Sequence, residues 1–523
     1  MKNLKKVIFK KNFNIRLKAY KALLENKELG LIRKIRIEMG EIRFPEIKSK
    51  DGLNIELISR QYYTILFGKM RLEKEILLSL GKKKSIKFFP LHYKHCNVLL
   101  NNGIKVSFFW TRITFWFVMT LIWFTAILLF IKTIFKRKGI KSEEVNFKPF
   151  IYFDGLNQNN LPDFYLNGTS YDIVTWYLNS QKPKLKQIFH NVSNSKKINY
   201  KGFEINSIKG PLPYPKNYNK YIISSFKLIF KNLYSLFKGE WWKALLLNEF
   251  LKAKRFDFAD KYQIAKEYLF YDSESIYRPL WTYKAENFGA KIILYSYSTN
   301  ERIKPAFGEE KNSDFIKLMS WQEYWVWDKF QNALLKDNLS ENIKTKIVGP
   351  INFSSKAIDI RNNDKYTIAI FDSPPHKNSK FFSFSTSQEY GFNKSEVHIN
   401  FINDILHICG EKSEIHFYFK VKRNRDKNLE DNGYSNFLNN LKNRKNFYFL
   451  NGDISAAYLI EKSDLIFSFP FTSTGVIAKL KNKKSFYYDP TGRLSKDDKA
   501  AHGVPLISNK KELKKSFSQN INF

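Results

Sequence analysis

The chain has 523 residues, 43% of them hydrophobic, and 88 Lys and Arg against 49 Asp and Glu give a formal net charge of +39. So much apolar material excludes general disorder, and the length exceeds what a single core serves, so two or three domains are expected. The basic excess suits anionic lipid or sugar nucleotides, and the lack of any zinc-finger spacing, RNP-like segment or helix-turn-helix pattern argues against nucleic acid as a partner.

Residues 1–106 read as a basic, mostly helical region, with apolar residues at helical spacing over Ile15–Ile37 and residues 54–80. Cys96 and Cys409 lie far apart, outline no metal or redox motif, and fit a reducing compartment. The run Ile113–Ile131, ITFWFVMTLIWFTAILLFI, holds no charge. As a helix it reaches roughly 28 Å, about the thickness of a bilayer core. Arg112 precedes it, Lys132 and Lys136-Arg137-Lys138 follow it, and Trp110, Trp116 and Trp123 suit an interfacial position. It begins too deep in the chain for a signal peptide. Residues 107–138 are therefore expected to associate with a membrane, with a buried core helix as the alternative. Both flanks are basic, which draws both to the cytoplasmic face of the inner membrane. A single span cannot satisfy that, whereas an in-plane helix or a re-entrant hairpin does.

Residues Gly139–Lys148 read as a linker. Over 148–350, strands are expected at Phe150–Phe153, Asp172–Tyr177, Gln187–Asn191, Glu204–Ile208, Glu267–Tyr271, Lys291–Tyr297 and Lys346–Pro350. Helices are expected at Tyr221–Lys254, Ile276–Phe288 and Trp321–Lys336. Over 351–508, strands are expected at Tyr366–Phe371, Ile415–Val421, Phe447–Leu450, Leu465–Phe469 and Ser485–Tyr488. Val397–Cys409, Tyr434–Asn443, Ile454–Lys462 and Gly475–Leu480 are the helices between them, and 509–523 is a tail. Strands separated by helix-length segments imply parallel sheets. The fold class is thus α/β: two Rossmann-like domains facing a cleft. No Gly-x-Gly-x-x-Gly is present, which argues against a dinucleotide cofactor.

Strand Leu465–Phe469 runs into Pro470, Phe471, Thr472, Ser473, Thr474 and Gly475 at the start of a helix. Hydroxyls there are expected to cap the helix, and the free amides with the helix dipole favour an anion such as phosphate. A capped helix without a ligand is the plainer alternative. In an open parallel sheet, ligands bind at this carboxyl end of the strands.

The tetrad Pro470-Phe471-Thr472-Ser473 resembles the signature of the bacterial polysaccharide biosynthesis PFTS-motif family. Ser296-Tyr-Ser298, Tyr324-Trp-Val-Trp327, Val348-Gly-Pro350, Phe419-Lys-Val-Lys-Arg423 and Tyr488-Asp-Pro490 extend the resemblance over about residues 265–508. It implies a membrane-associated glycosyltransferase of the GT-B plan. The implied donor is a nucleotide-sugar, the acceptor a lipid-linked or growing glycan, and the pathway surface polysaccharide assembly of the O-antigen or capsule type. The tetrad's place is also similar to the Asp-Tyr-Ser-Ser segment of CDP-glycerol glycerophosphotransferases, whose hydroxyls sit beside the donor phosphates. Here Phe469 and Pro470 replace the aspartate. Transfer of glycerol phosphate or of a CMP-linked sialic-acid-like sugar therefore stays open, as does a non-catalytic scaffold.

Sugar transfer from a nucleotide releases an anion, which basic side chains and helix N-termini can stabilise without a metal. Lys420, Lys422 and Arg423, at the end of a strand, are candidates for this role, with a solvated basic loop as the alternative. Lys420 and Lys422 share one strand face by alternation. His376, in Ser373-Pro-Pro-His376, and Asp489 and Arg493 after the last strand are further donor-site candidates, and His502 a weaker one. Asp154, Asp272 and Glu274 are candidates for the base that deprotonates the acceptor hydroxyl. No Asp-x-Asp stands at a strand end, so neither an obligatory metal nor any cofactor is expected.

Overall fold

The computed structural model describes residues 30–48, 53–67, 69–136, 212–271, 276–296, 298–299, 316–339, 341–350, 366–373, 375, 394–409, 414–421, 431–450 and 454–520, scattered positions between 12 and 22, and the backbone of strands at 150–154, 172–176, 197–200 and 203–207. The linker Gly139–Lys148 and the expected strand Gln187–Asn191 lie outside the described residues.

Helices α1 (Gly30–Glu41), α2 (Ile55–Phe67), α3 (Lys69–Lys82) and α4 (Tyr93–Asn101) open the chain. They do not stand apart. Tyr62, Tyr63 and Leu91 share one apolar core with Trp241, Tyr268, Trp281 and Trp321 of the following α/β unit. Buried Gln61 fixes the contact by donating to Leu318 O at 2.6 Å and Ser320 Oγ at 2.8 Å. Helix α5 (Phe108–Lys136) contains the whole uncharged run and extends past it at both ends.

The first sheet is built from β1 (Phe150–Asp154), β2 (Asp172–Trp176), β3 (Lys197–Tyr200), β4 (Phe203–Ser207), β5 (Glu267–Tyr271), β6 (Lys291–Tyr295), β7 (Glu323–Val326) and β8 (Thr345–Ile347). Their spatial order is β3-β4-β2-β1-β5-β6-β7-β8. Pairing is parallel throughout except for the β3–β4 hairpin. The stretch Tyr221–Lys254 is two helices, α6 (Tyr218–Phe237) and α7 (Trp241–Ala253), broken where Gly239 takes a φ of 84°. Helix α8 (Leu280–Asn287) follows. The expected helix over Trp321–Lys336 is corrected: Glu323–Val326 is strand β7, and helix α9 (Lys329–Asn338) begins only after Asp328. Asp328 Oδ1 accepts from the amides of Phe330 at 3.0 Å and Gln331 at 2.9 Å, so the N-cap sets the start.

The second sheet holds β9 (Tyr366–Asp372), β10 (Ile415–Val421), β11 (Phe447–Leu450), β12 (Leu465–Ser468), β13 (Lys484–Tyr488) and β14 (Leu506–Ile507), in the order β11-β10-β9-β12-β13-β14 and all parallel. Helices α10 (Ser395–Cys409), α11 (Asn432–Leu441), α12 (Ala456–Glu461), α13 (Ser473–Leu480) and α14 (Lys510–Asn520) cover its faces. Within the segment 509–523, α14 seats Leu513 and Phe517 in the core beside Phe401 and Tyr488. The other face of the sheet, through Phe471, Tyr487 and Leu494, packs in one cluster with Tyr295, Trp325 and Trp327 of the first unit.

Strand β9 is the pivot. The chain leaves it toward β10 and β11 on one side, then returns to lay β12, β13 and β14 on the other. This reversal leaves a crevice at the carboxyl ends of β9 and β12, the place where open α/β sheets bind ligands.

Candidate functional site

Register aligns the carboxyl edge. Phe371 of β9 faces Ser468 of β12 on one side and Lys420 of β10 on the other, and Ser468 faces Tyr487 of β13. The Phe469 amide then donates to Phe371 O at 2.8 Å and closes the strand. Pro470 and Phe471 turn the chain, with Phe471 in the left-handed region at φ 60°. Phe469 and Phe471 enter opposite cores, one on each face of the sheet. The tetrad therefore bolts the switch-point turn to both layers, and α13 starts from it.

The hydroxyls do not cap α13 as expected. Thr472 is the N-cap residue but makes no side-chain cap hydrogen bond. Its hydroxyl donates backward to Phe469 O at 2.8 Å and meets Thr474 Oγ1 at 3.1 Å, while Thr474 Oγ1 lies 2.9 Å from Ser468 Oγ. The Thr472 and Thr474 hydroxyls are spent on the turn itself, so the N-cap side chain leaves the first-turn amides of α13 uncapped, the Gly475 amide donating instead to Thr472 O at 3.3 Å. Tyr487 Oη donates to Thr472 O at 2.6 Å and braces the turn from β13. Gly475 makes room for that ring, since a Cβ there would meet Tyr487 Cε1 at 2.6 Å.

Beneath the turn lies a polar cluster that sequence reasoning missed. Asp372, at the end of β9, is buried. Its Oδ1 accepts from the Ser373 amide at 2.6 Å and sits 2.7 Å from His398 Nδ1, and its Oδ2 accepts from Tyr434 Oη. His398 is wholly buried and stacks on Phe469, with ring centroids 4.1 Å apart. Among the described residues its Nε2 has no hydrogen-bond partner. The signals were a carboxylate ending an aliphatic strand and a histidine on the apolar face of α10 beside Phe401 and Ile402.

At the carboxyl edge of the first sheet, three separated motifs meet. Trp327 Nε1 donates to Ser296 O at 2.8 Å, Gln331 Nε2 donates to Ser298 O at 2.9 Å, and Tyr295 Oη donates to Gly349 O at 2.8 Å. Gly349 takes a φ of 82°, which a side chain would strain. Asp328 Oδ2 reaches His502 Nδ1 in the second unit at 2.7 Å. Burial alone would raise the Asp328 pKa. The His502 hydrogen bond and charge and the two cap amides outweigh it, so the carboxyl is held below its ordinary value.

Lys420 is buried in β10, paired across to Phe371 and Leu450, on the sheet face opposite Phe419. Asp489 is fully buried and its carboxylate builds the next loop, accepting from Thr491 N at 2.8 Å, Thr491 Oγ1 at 2.6 Å and Leu494 N at 3.0 Å. Arg493 is exposed on that loop. Asp154 ends β1, which has β2 on one side and β5 on the other, the reversal point of the first sheet. His376, Lys422, Arg423, Asp272 and Glu274 lie outside the described residues. Among the described residues, no three His, Cys, Asp or Glu side chains gather as metal ligands would.

Residues 224–517 match the sequence profile of the family described as polysaccharide biosynthesis PFTS motif proteins. The match spans more than half of the chain and includes the tetrad, and the chain belongs to this family. A search of curated proteins returns no match. Solved structures give loose overlaps. An alpha,alpha-trehalose-phosphate synthase (UDP-forming) from Burkholderia xenovorans in complex with glucose-6-phosphate is 8% identical, with a TM-score of 0.38 over 72% of this chain and 92% of that one. A sucrose-phosphate synthase from Thermosynechococcus elongatus is 8% identical, with a TM-score of 0.36 over 71% and 89%. A UDP co-structure of S. aureus MnaA is 9% identical, with a TM-score of 0.37 over 72% and 88%. Such values describe a similar course of the chain, and the functional reading rests on the family and the residues.

Proposed function

We propose that this chain is a GT-B-type glycosyltransferase. It moves a sugar from a nucleotide-sugar donor to a lipid-linked or growing glycan at the cytoplasmic face of the inner membrane. The carrying observation is the tetrad's position. It stands at the carboxyl end of β12, beside the reversal point at β9, and its hydroxyls leave the α13 amides free of a side-chain cap. A diphosphate set there accepts those amides and gains the helix dipole. Membership of a polysaccharide biosynthesis family supplies the pathway. Lys420, near the end of β10, would add charge at this edge, and Lys422, Arg423 and His376, which come after β10 and β9 in the sequence, are further candidates. Asp154, Asp272 and Glu274 follow the strands that flank the reversal point of the first sheet and are the candidates for the acceptor base. Leaving-group charge is met by side chains and amides, so the mechanism calls for no metal and no cofactor.

The test uses Ser473→Pro. Ser473 is the first helical residue, where proline fits and removes one amide donor. Thr472 before it is extended, at φ −73° and ψ 143°, as a residue preceding proline requires. A panel of UDP-, GDP-, CDP- and CMP-sugars should contain one ligand that raises the melting temperature of the native chain, since a ligand at a hundred times its Kd stabilises by about 2.7 kcal/mol. The variant should melt near the native temperature alone and lose most of that rise. A full rise in the variant would remove the α13 N-terminus from the donor site.

A further inference from the structure

Helix α5 has two apolar faces. One face, with Thr111, Phe115, Met119, Ala126 and Phe130, is buried. It packs along α7: Phe115 and Met119 join the core that holds Trp241 and Leu245, and Ala126 and Phe130 join Leu247 and Leu251. The opposite face, with Ile113, Phe117, Leu121, Phe124, Leu128 and Phe135, is exposed. The spacings within each set are those of one helical stripe.

Helix α6 lies beside it. Phe130 of α5 contacts the rings of Tyr221 and Phe226 at 5.9 and 5.7 Å, and Tyr218 Oη donates to Ile134 O at 3.0 Å. Helix α6 has three faces. Tyr221, Ser225, Ile229, Asn232 and Ser235 are buried, and Asn232 Nδ2 donates to Lys243 O of α7 at 2.7 Å. Ile223, Phe226, Phe230, Tyr234 and Phe237 form an exposed apolar stripe, with Phe237 84% exposed. Lys220, Lys227, Lys231 and Lys238, also exposed, run along one edge of that stripe. The helix holds no acidic residue.

Both helices thus rest on α7 and turn apolar stripes away from it. At the N-terminal end of α5 the exposed aromatics continue into Phe88, whose ring lies 5.4 Å from that of Trp110. We infer that α5 and α6 together form an in-plane docking surface for an anionic lipid leaflet, α5 supplying apolar area and α6 supplying both apolar area and the lysine edge. This deepens the reading above and rests on its placement at a membrane.

Two observations favour lying over crossing. A crossing α5 would take with it α7, which bears Lys243, Glu249 and Lys252, and whose buried Glu249 accepts from Tyr277 Oη at 2.5 Å in the α/β body. A crossing α6 would carry Lys220, Lys227 and Lys231 along its length into hydrocarbon, where each is costly. Laid in the interface, the same lysines face headgroups and the phenyl rings face acyl chains.

The experiment adds the purified full chain to preformed vesicles and measures co-sedimentation. Vesicles are phosphatidylcholine alone or mixed with phosphatidylglycerol. The native chain should bind the mixed vesicles more tightly, and salt should weaken that preference. Lys220→Gln, Lys227→Gln and Lys231→Gln combined should bind mixed vesicles roughly a hundredfold more weakly and leave phosphatidylcholine binding near native. Phe230→Ser with Phe237→Ser should weaken binding to both. All these side chains are exposed, so melting temperatures should hold, and donor-induced melting shifts, read separately, report on the transferase reading alone. Native binding by both variants would overturn the role of α6. Binding that neither salt nor dilution reverses, and that the lysine changes leave intact, would make α5 a span. A native chain that ignores vesicles but self-associates through Phe230 and Phe237 would assign the surface to a second copy instead.

Discussion

Phe471 carries two opposing terms. Its φ of 60° costs a non-glycine residue about 1–2 kcal/mol. Its ring is buried against Tyr487, with centroids 5.6 Å apart, and loss of a buried phenyl ring costs about 3–5 kcal/mol. Burial wins, so the strained turn persists. Phe471→Gly should therefore lower stability by about 2 kcal/mol in urea, with the strain relieved but the ring lost. Phe471→Ala should lower it further, because alanine keeps the strain and loses the ring. An alanine variant more stable than the glycine variant would mean that the left-handed turn is not what the chain adopts. The aspartate beneath follows the same logic of compensation. Buried Asp372 is tolerable because the Ser373 amide and Tyr434 Oη both donate to it and His398 Nδ1 lies within hydrogen-bond distance.

At the scale of elements, the brace between β13 and α13 sets the turn. Tyr487 holds Thr472 O, and Gly475 leaves the ring its space. Gly475→Ala places a methyl group against that ring. On propensity alone it should favour the helix by about 1 kcal/mol. Overpacking costs about 1–3 kcal/mol and should dominate. The variant should melt lower, and pairing it with Tyr487→Phe should not recover stability, since the clash is with ring carbons. A rise in melting temperature for Gly475→Ala would show that the ring moves freely. The strands of the second sheet were legible because parallel strands buried on both faces are nearly continuous apolar runs, such as Ile368–Phe371 and Leu465–Phe469. Trp321–Trp327 misled because Trp321 and Trp325 are spaced as on a helix, while the Asp328 cap that separates strand from helix carries no periodic signal. β3 and β14 are too short or too polar to show. The tetrad's place was legible from the apolar run and the turn that follows. The direction of its hydroxyls was not, because a threonine at an N-cap can reach either a downstream amide or an upstream carbonyl, and the turn geometry decides. Asp372 and His398 are 26 residues apart and meet only through the packing of α10 on β9.

Across the whole molecule, the two units are joined by a shared apolar cluster and by a polar latch. Asp328 caps α9 in the first unit and reaches His502 in the second, while Lys479 Nζ donates to His502 O at 2.9 Å. His502 sits in the left-handed region at φ 52°, so its ring is presented from a tight turn that the second unit must hold. The latch spans the motifs at the carboxyl edge of the first sheet and the loop after β13, so it sets how the acceptor and donor halves of the proposed enzyme stand to each other. Its pH dependence follows from Asp328. A carboxyl whose folded pKa lies below its unfolded value contributes stability that is present above the unfolded pKa and lost as pH falls through the folded one. Asp328→Asn isolates that contribution, because asparagine caps a helix as well as aspartate does and only the charge is removed. At neutral pH the variant should be less stable by about 1.5–3 kcal/mol, the worth of a hydrogen bond to a charged group. Only when pH has fallen below the native carboxyl's own lowered pKa should the two proteins converge, since the carboxylate is then protonated. Urea midpoints measured from neutral pH down through that value test both statements. A gap that stays constant down to the most acidic point would mean that Asp328 does not titrate against His502, and that the two halves are held by the apolar cluster alone.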